Sequence, residues 1–315
     1  MISYVIKRLL SLIPVLLTVA VIVFTLVHLS PGDPARVILG PDASSADIIH
    51  LRDELGLNKP IVEQFVLWLS NAATGDLGNS IYNGRPVTEV FFRYFMPTLS
   101  LAIFAQFIAI TVAIPLGTLA ALNRGKQIDR VLMTFSLIGI SVPSFLLGLI
   151  FILIFSVFLN WLPVAGYIPM RDSFVGHYKH LLLPALSLGL MQAALITRIT
   201  RSSMLEVLNN QYIKTAKAKG LSRRTVVIKH ALRNAFIPIL EIIGQTFTML
   251  IAGAVVVEFV FNIPGLGQLI VNSVERRDFP IIQGVILMVA LGYVIINLVI
   301  DLIYGIVDPR VRLDK

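Results

Sequence analysis

The chain has 315 residues, 56% hydrophobic and 14% charged, with a mean hydropathy of +0.84. A soluble globule carries nearer a quarter charged residues, so this composition excludes one and indicates a membrane protein. The lack of cysteine excludes disulfides, thiol catalysis and cysteine-bound metal, and the net charge of +8 reads first as the basic bias of cytoplasmic loops, not as a nucleic-acid footprint.

Six apolar runs reach the roughly 17–25 residues that a bilayer crossing takes. They are Leu9–Leu29, Leu99–Leu122, Val131–Leu159, Leu181–Thr197, Ile237–Phe261 and Ile281–Val307. The first follows Lys7 and Arg8, is too long for a signal-peptide core, and reads as an uncleaved span. The third is long and carries Pro143, which predicts tilt, a kink, or an end outside the lipid.

Most of the 26 Lys and Arg residues fall on one side if the N-terminus is cytoplasmic. They cluster at Lys7 and Arg8, at Arg124 to Arg130, between Arg198 and Arg233, and at Arg310 to Lys315. The positive-inside rule then places both termini in the cytoplasm.

Between the first two spans lies a polar insert, read as a small folded cap outside the cell. Pro60 followed by apolar residues at 61, 62, 65, 66 and 69 predicts a helix over Ile61–Leu69, and Gly75, Gly78 and "NGRP" mark turns. Between the fourth and fifth spans lies a second polar segment, 198–236. Leu205, Leu208, Tyr212 and Ala216 share one helical face, Gly220 reads as a helix C′ glycine, and Ser222 as the N-cap of a short second helix ending at Leu232. The stretch "YIKTAKAKGLSRRTVVIKHALRN" has no carboxylate and no phosphate-binding loop, so it is neither a metal nor a nucleotide site. Its small residues admit close approach of a partner, and its cations suit acidic residues or lipid headgroups. Protein docking and contact with anionic lipid fit these features equally.

Polar residues within the spans are few: His28, Gln106, Gln192, Glu241, Gln245, Glu258, Asn297 and Asp301. Glu241 and Glu258 lie near the ends of one span, so snorkelling or interface pairing is expected. Asp301 is deeper; it is read as pairing with a base such as Arg198, or as standing near a pathway. Gln245 and Asn297 are candidates to line a cavity. His177 and His180 are spaced i, i+3 in a loop, where solvated histidines are the commoner finding than a nickel site.

The chain resembles the permease subunit of bacterial ABC importers of the dipeptide/oligopeptide/nickel class, which also includes glutathione importers. The matching stretches are "PGDPAR" (Pro31–Arg36), "GDLG-S" (Gly75–Ser80), "RP-VTE" from Arg85, "YI-TA-AKG" with "KHALRNA", "VVVE-VF-IPGLG" (Val255–Gly267), "RDFP" (Arg277–Pro280) and "DPR" (Asp308–Arg310). The loop is similar to that superfamily's E-A-A-x-x-x-G motif, with Lys214 and Thr215 where Glu and the first Ala stand, and with Arg233 where a proline is expected. The resemblance implies an all-α membrane protein of six transmembrane helices with the type I importer permease fold. It implies an extracytoplasmic insert after helix 1 and a cytoplasmic coupling helix between helices 4 and 5. The organisation it implies is a first transmembrane helix over 1–30, an insert over 31–96, a five-helix core over 97–307 with its coupling loop at 198–236, and a tail over 308–315. Thr215, Ala216, Ala218, Lys219, Gly220, Leu221 and Ser222 would contact a cytoplasmic ATPase, and Gln245, Asn297 and Asp301 would stand near the pathway. The implied partners are a second, related permease, two ATPase subunits that hold ATP and magnesium, an extracytoplasmic solute-binding protein, and the lipid bilayer. No catalytic residue, metal, cofactor or nucleic acid is expected on this chain, and its place is the bacterial inner membrane. The solute reads as a di- or oligopeptide or glutathione, with nickel chelates or sugars as the alternative. A gradient-driven carrier is the rival, but neither inverted repeats nor broken midplane helices stand out.

Overall fold

The computed structural model describes residues 2–29, 34–40, 43–54 and 56–307. The part of "PGDPAR" at 31–33, the "DPR" stretch and the tail 308–315 lie outside them. Among the described residues the regular structure is helical, apart from one isolated antiparallel bridge between Asn79 and Pro86. Four helices are long and apolar enough to cross a bilayer: Val87–Leu122, Phe174–Leu208, Arg223–Ile251 and Phe279–Ile300. Gln127–Ser141 and Ser144–Phe158 pass the same test only as a pair, bent by 100°. The first expected run lies within the 28-residue helix Ile2–Leu29, of which Ile13–Leu29 is an apolar stretch. The described helices thus hold four crossings, or five with the bent pair counted as one, and the helix Ile2–Leu29 covers the remaining expected run.

The bend has a local cause. The pyrrolidine ring of Pro143 forces the preceding residue out of the helical region, and Val142 is extended at φ −85°, ψ 123°. Pro143 then serves as the N-cap of the next helix. The expected kink is therefore a break, with the second half continuing as a wide π segment over Ile152–Phe158.

The chain forms two compact units. One comprises Met1–Met96 with Gln268–Leu298, the other Pro97–Gly267 with Val299–Lys315. In the first unit, α1 (Ile2–Leu29) is followed by α2 (Pro34–Leu39), α3 (Ser45–Glu54) and α4 (Ile61–Ala73), the last starting after Pro60 as its spacing predicts. Phe65 and Trp68 of α4 pack their rings on Phe24 of α1, at centroid distances of 5.3 and 5.8 Å. His28 adds a 3.2 Å hydrogen bond to Gln64 Oε1. In the same unit Asp278 accepts from the Ser80 hydroxyl and, at 3.1 Å, from the Ile81 amide. The motifs "GDLG-S" and "RDFP", about two hundred residues apart in the chain, are thereby two halves of one clamp. Arg276 stacks over the Tyr82 ring beside it at 4.3 Å.

The second unit is built on α8 (Phe174–Leu208), most of whose apolar length is buried. It packs against α6 (Gln127–Ser141), α7 (Ser144–Phe151) and α11 (Arg233–Gly253). Against α5 (Val87–Leu122) the approach is backbone-close: a Cβ on Gly117 would lie 2.6 Å from Thr200 Cβ, and one on Gly189 2.7 Å from the Ala105 carbonyl. Lipid supplies no hydrophobic drive between helices, so glycine at such contacts gains packing that larger residues would prevent. Two apolar clusters fill the unit, one around Leu101, Leu181, Leu250 and Phe261, the other around Ile196, Met204, Ile213 and Ile239.

Candidate functional site

The basic segment folds as α9 (Gln211–Ala218), a glycine turn, and α10 (Arg223–Thr225). The turn is fully bonded. Gly220, at φ +75°, donates its N–H to the Lys217 carbonyl at 3.0 Å, and Leu221 donates to the Ala216 carbonyl at 3.3 Å. This paired closure satisfies the last carbonyls of α9, and the left-handed backbone it needs favours glycine. Ser222 then caps α10, its Oγ accepting from the Thr225 N–H at 3.3 Å. The C′ glycine and the N-cap stand where the sequence puts them.

Two expectations change. The helical face does not run unbroken from Leu205 to Ala216, because α8 ends at Leu208 and a new helix starts at Gln211. The break rotates α9, so Ile213 rather than Tyr212 is the buried residue: Ile213 is 0% exposed and Tyr212 42%. Nor does the second helix stop at Leu232. It widens into a π segment over Val226–Leu232 and continues into α11 without leaving the helical region.

Ile213 and Ala216 fasten α9 to a core that includes Met204, Val226, Val227 and Ala231. The opposite face is open: Thr215, Ala218, Lys219, Gly220, Leu221 and Ser222 are all exposed, with Lys214 and Lys217 among them. Of the seven expected contact residues, six share this surface and Ala216 lies beneath it as an anchor. A Cβ on Gly220 would meet nothing within 4 Å. A short, stiff, cationic element with small side chains outward can enter a cleft on another protein without closing its own core.

A salt bridge that sequence reading missed stands on the same side of this unit. Arg201 of α8 donates twice to Asp129 of α6, at 2.6 and 2.8 Å, and the Gly125 amide adds a third bond at 2.9 Å. Asp129 is 4% exposed. The available signal was an acid in the first turn of a helix after a Gly-Lys turn; nothing in the sequence named its partner.

The polar residues of the spans behave differently from expectation. Glu258 neither snorkels nor pairs at an interface; it is 0% exposed. It lies in α12 (Val255–Val260), just ahead of the "IPGLG" loop. Thr98 Oγ1 donates to its Oε1 at 2.6 Å, and the Gly267 N–H to its Oε2 at 2.8 Å. The Leu266 N–H donates to Thr98 Oγ1 at 2.9 Å, so the loop closes on the carboxylate from two sides. Gln106 is likewise internal, its amide donating to Thr246 Oγ1 at 3.1 Å and the Ile243 carbonyl at 3.2 Å. Gln245 is exposed on α11. Asn297, on α13 (Phe279–Val307), donates to the Tyr293 carbonyl of its own helix at 2.8 Å. Arg198 is exposed, and the side chain of Asp301 lies outside the described residues. His177 and His180 belong to the first turns of α8, not to a loop, and bond the carbonyls of Ile168 and Gly176, each at 2.8 Å. His177 is 2% exposed, hence a core residue and not a solvated one. Among the described residues no group of three His, Asp or Glu side chains is placed to hold a metal.

Comparison with known proteins follows the same lines. Residues 113–313 match the family described as binding-protein-dependent transport system inner membrane component, and residues 1–102 match its N-terminal companion. The chain is 47% identical over 312 residues to the glutathione transport system permease protein GsiC of Escherichia coli K12, covering 99% of both chains. It is 44% identical over 309 residues to the probable peptide ABC transporter permease protein y4tP of Sinorhizobium fredii, covering 98% of this chain and 99% of that one. Among solved structures, the inward-facing MetNI methionine ABC transporter superposes with a TM-score of 0.58 at 18% identity, over 70% of this chain and 97% of that one. The likeness to MetNI is one of fold. The near full-length matches in sequence, with the multi-helix membrane fold, settle the family: the chain belongs to the binding-protein-dependent transport system inner membrane components and is a permease subunit of an ABC importer.

Proposed function

We propose that this permease carries di- or oligopeptides or glutathione inward, and that α9 with its glycine turn is the element through which ATPase subunits drive it. The observation that carries the solute class is the near full-length likeness to a glutathione permease and a peptide permease. Support for the coupling role comes from the open face of Thr215, Ala218, Lys219, Gly220, Leu221 and Ser222 on a helix fastened beneath by Ile213 and Ala216.

On this reading the basic segment and both termini are cytoplasmic, the 31–96 insert is extracytoplasmic, and a second related permease completes a pathway of which this chain forms half. ATP and magnesium reside on the ATPases, and this chain hydrolyses nothing. Closure of the ATPases pushes α9, and the rigid connection of α9 to the 223–253 helix carries the push to the pathway. Gln245, Asn297 and Asp301 remain the candidates to face it. An extracytoplasmic binding protein delivers the solute.

The test is uptake of labelled glutathione and of a labelled dipeptide by cells or proteoliposomes holding the whole importer. Gly220→Trp meets no neighbour within 4 Å and carries only the left-handed backbone strain of about 1–2 kcal/mol, so expression and membrane insertion are expected to survive while uptake is abolished. Normal uptake by that variant would sink the coupling role. Uptake by the permease without its ATPases would refute the ATP-driven reading altogether.

A further inference from the structure

A groove of about 520 Å³ opens beside α9, where the ends of α5 and α8 meet the start of α10. Its inner wall is apolar, formed by Leu122, Leu205, Leu208, Val226 and Leu221. Its rim carries three cations: Arg124, Lys217 and Arg223. All three are exposed, and none makes an ion pair among the described residues. Asp129, a carboxylate within the field of Arg124, is already held by two bonds from Arg201.

The two halves of this lining ask for one kind of occupant. Three cations around one mouth favour a phosphate, and an apolar wall immediately behind it favours attached hydrocarbon. A free phosphate would leave that wall wetted, and a neutral lipid would leave the cations unanswered. The apolar run Leu99–Leu122 of α5 ends at Leu122 on the groove wall, with Asn123 and Arg124 following, which sets the mouth near the depth of the headgroups. Of the six exposed residues proposed to face the ATPase, Leu221 lines the groove, and Lys217 beside them stands on its rim, so the groove opens at the edge of the docking face.

We propose that this groove binds the phosphate headgroup and proximal acyl carbons of an anionic phospholipid. The site rests on the cytoplasmic orientation proposed above. A lipid seated there bridges the end of α5 to α9 and α10, and thereby props the coupling element against the helix bundle.

The experiment uses the whole importer, purified in mild detergent and titrated with phosphatidylglycerol or phosphatidylcholine, with bound lipid counted by native mass spectrometry. Phosphatidylglycerol is expected to be retained in preference to phosphatidylcholine. Arg124→Gln with Arg223→Gln is expected to weaken that retention roughly twenty-five-fold, about fivefold for each cation lost near an anionic headgroup. Arg124→Lys with Arg223→Lys keeps both charges and is expected to retain most of the binding, which also separates loss of charge from loss of fold. Equal retention of the two lipids, or undiminished phosphatidylglycerol in the folded Gln variant, overturns the proposal. Displacement of the lipid by millimolar inorganic phosphate overturns it too, since the site would then take free phosphate. If phosphatidylglycerol is retained but no ATPase co-purifies, the coupling reading fails and the lipid site stands; if the ATPase is held and the lipid preference is absent, the lipid site alone fails.

Discussion

Glu258 offers the sharpest test of the packing argument. Both of its oxygens accept a hydrogen bond, from Thr98 Oγ1 at 2.6 Å and from the Gly267 N–H at 2.8 Å, at a site with no exposure. Glu258→Gln keeps the shape but turns one acceptor into an NH₂ that faces a donor. One buried donor then loses its acceptor, at about 1–3 kcal/mol. Glu258→Ala strips the acceptor from both, so about 2–6 kcal/mol is expected, with a cavity contribution added. The glycines of the loop are fitted to the same group: a Cβ on Gly265 would fall on the Glu258 carboxylate, and one on Gly267 would lie 2.6 Å from Val255 Cα. Gly265→Ala must therefore push the carboxylate off its donors, at a cost of about 1–3 kcal/mol or more. Thermal unfolding of the detergent-solubilised importer, followed by fluorescence-detected size exclusion, should rank wild type above Glu258→Gln and Glu258→Gln above Glu258→Ala. A double-mutant cycle of Thr98→Val with Glu258→Gln should be non-additive by about 1 kcal/mol. An Ala variant as stable as wild type, or strict additivity in the cycle, would refute the buried clasp.

Three further outcomes follow from the geometry. Arg201→Ala leaves the Asp129 carboxylate buried with only the Gly125 amide, and should cost about 3 kcal/mol, the low end for a broken buried pair, because the Arg201 side chain is 26% exposed. The measurement is the same unfolding assay, and restored stability in Asp129→Asn with Arg201→Gln would confirm that the stranded charge was the cause. Asp278→Ala removes the acceptor shared by the Ser80 hydroxyl and the Ile81 amide, so hydrogen exchange should speed up across residues 79–84 while α8 keeps its protection. Gly117→Val forces a side chain into Thr200 and the Thr197 carbonyl and should abolish stable expression, whereas Gly253→Ala, which meets nothing within 4 Å, should change stability by under about 1 kcal/mol.

How far the sequence was legible depended on the range of the interaction. Local chemistry could be read directly. Gly220 at the end of α9, Ser222 as an N-cap and Pro60 ahead of α4 each act through the chain's own nearest neighbours, and each stands where its residue type requires. Pro143 was legible as a disturbance but not as a 100° bend, because the angle depends on what the second half packs against. The face of α9 was misjudged for a related reason. Periodicity assumes an unbroken helix, and the two-residue break at Asn209–Asn210 shifts the phase so that Ile213 turns inward.

The class of this protein was legible in the chain alone. Its hydropathy placed the helices in a membrane, its turn residues set where α9 ends, and its motif order marked it as an importer permease. The partners of the buried polar groups emerged from the packing of the helices. Glu258 with Thr98, Asp278 with Ser80 and Asp129 with Arg201 are separated by 160, 198 and 72 residues. No local pattern encodes such pairs, because a carboxylate in an apolar run states only that a donor is required. Which donor answers it is settled by helix packing, and that packing rests on glycine contacts that a hydropathy profile cannot see.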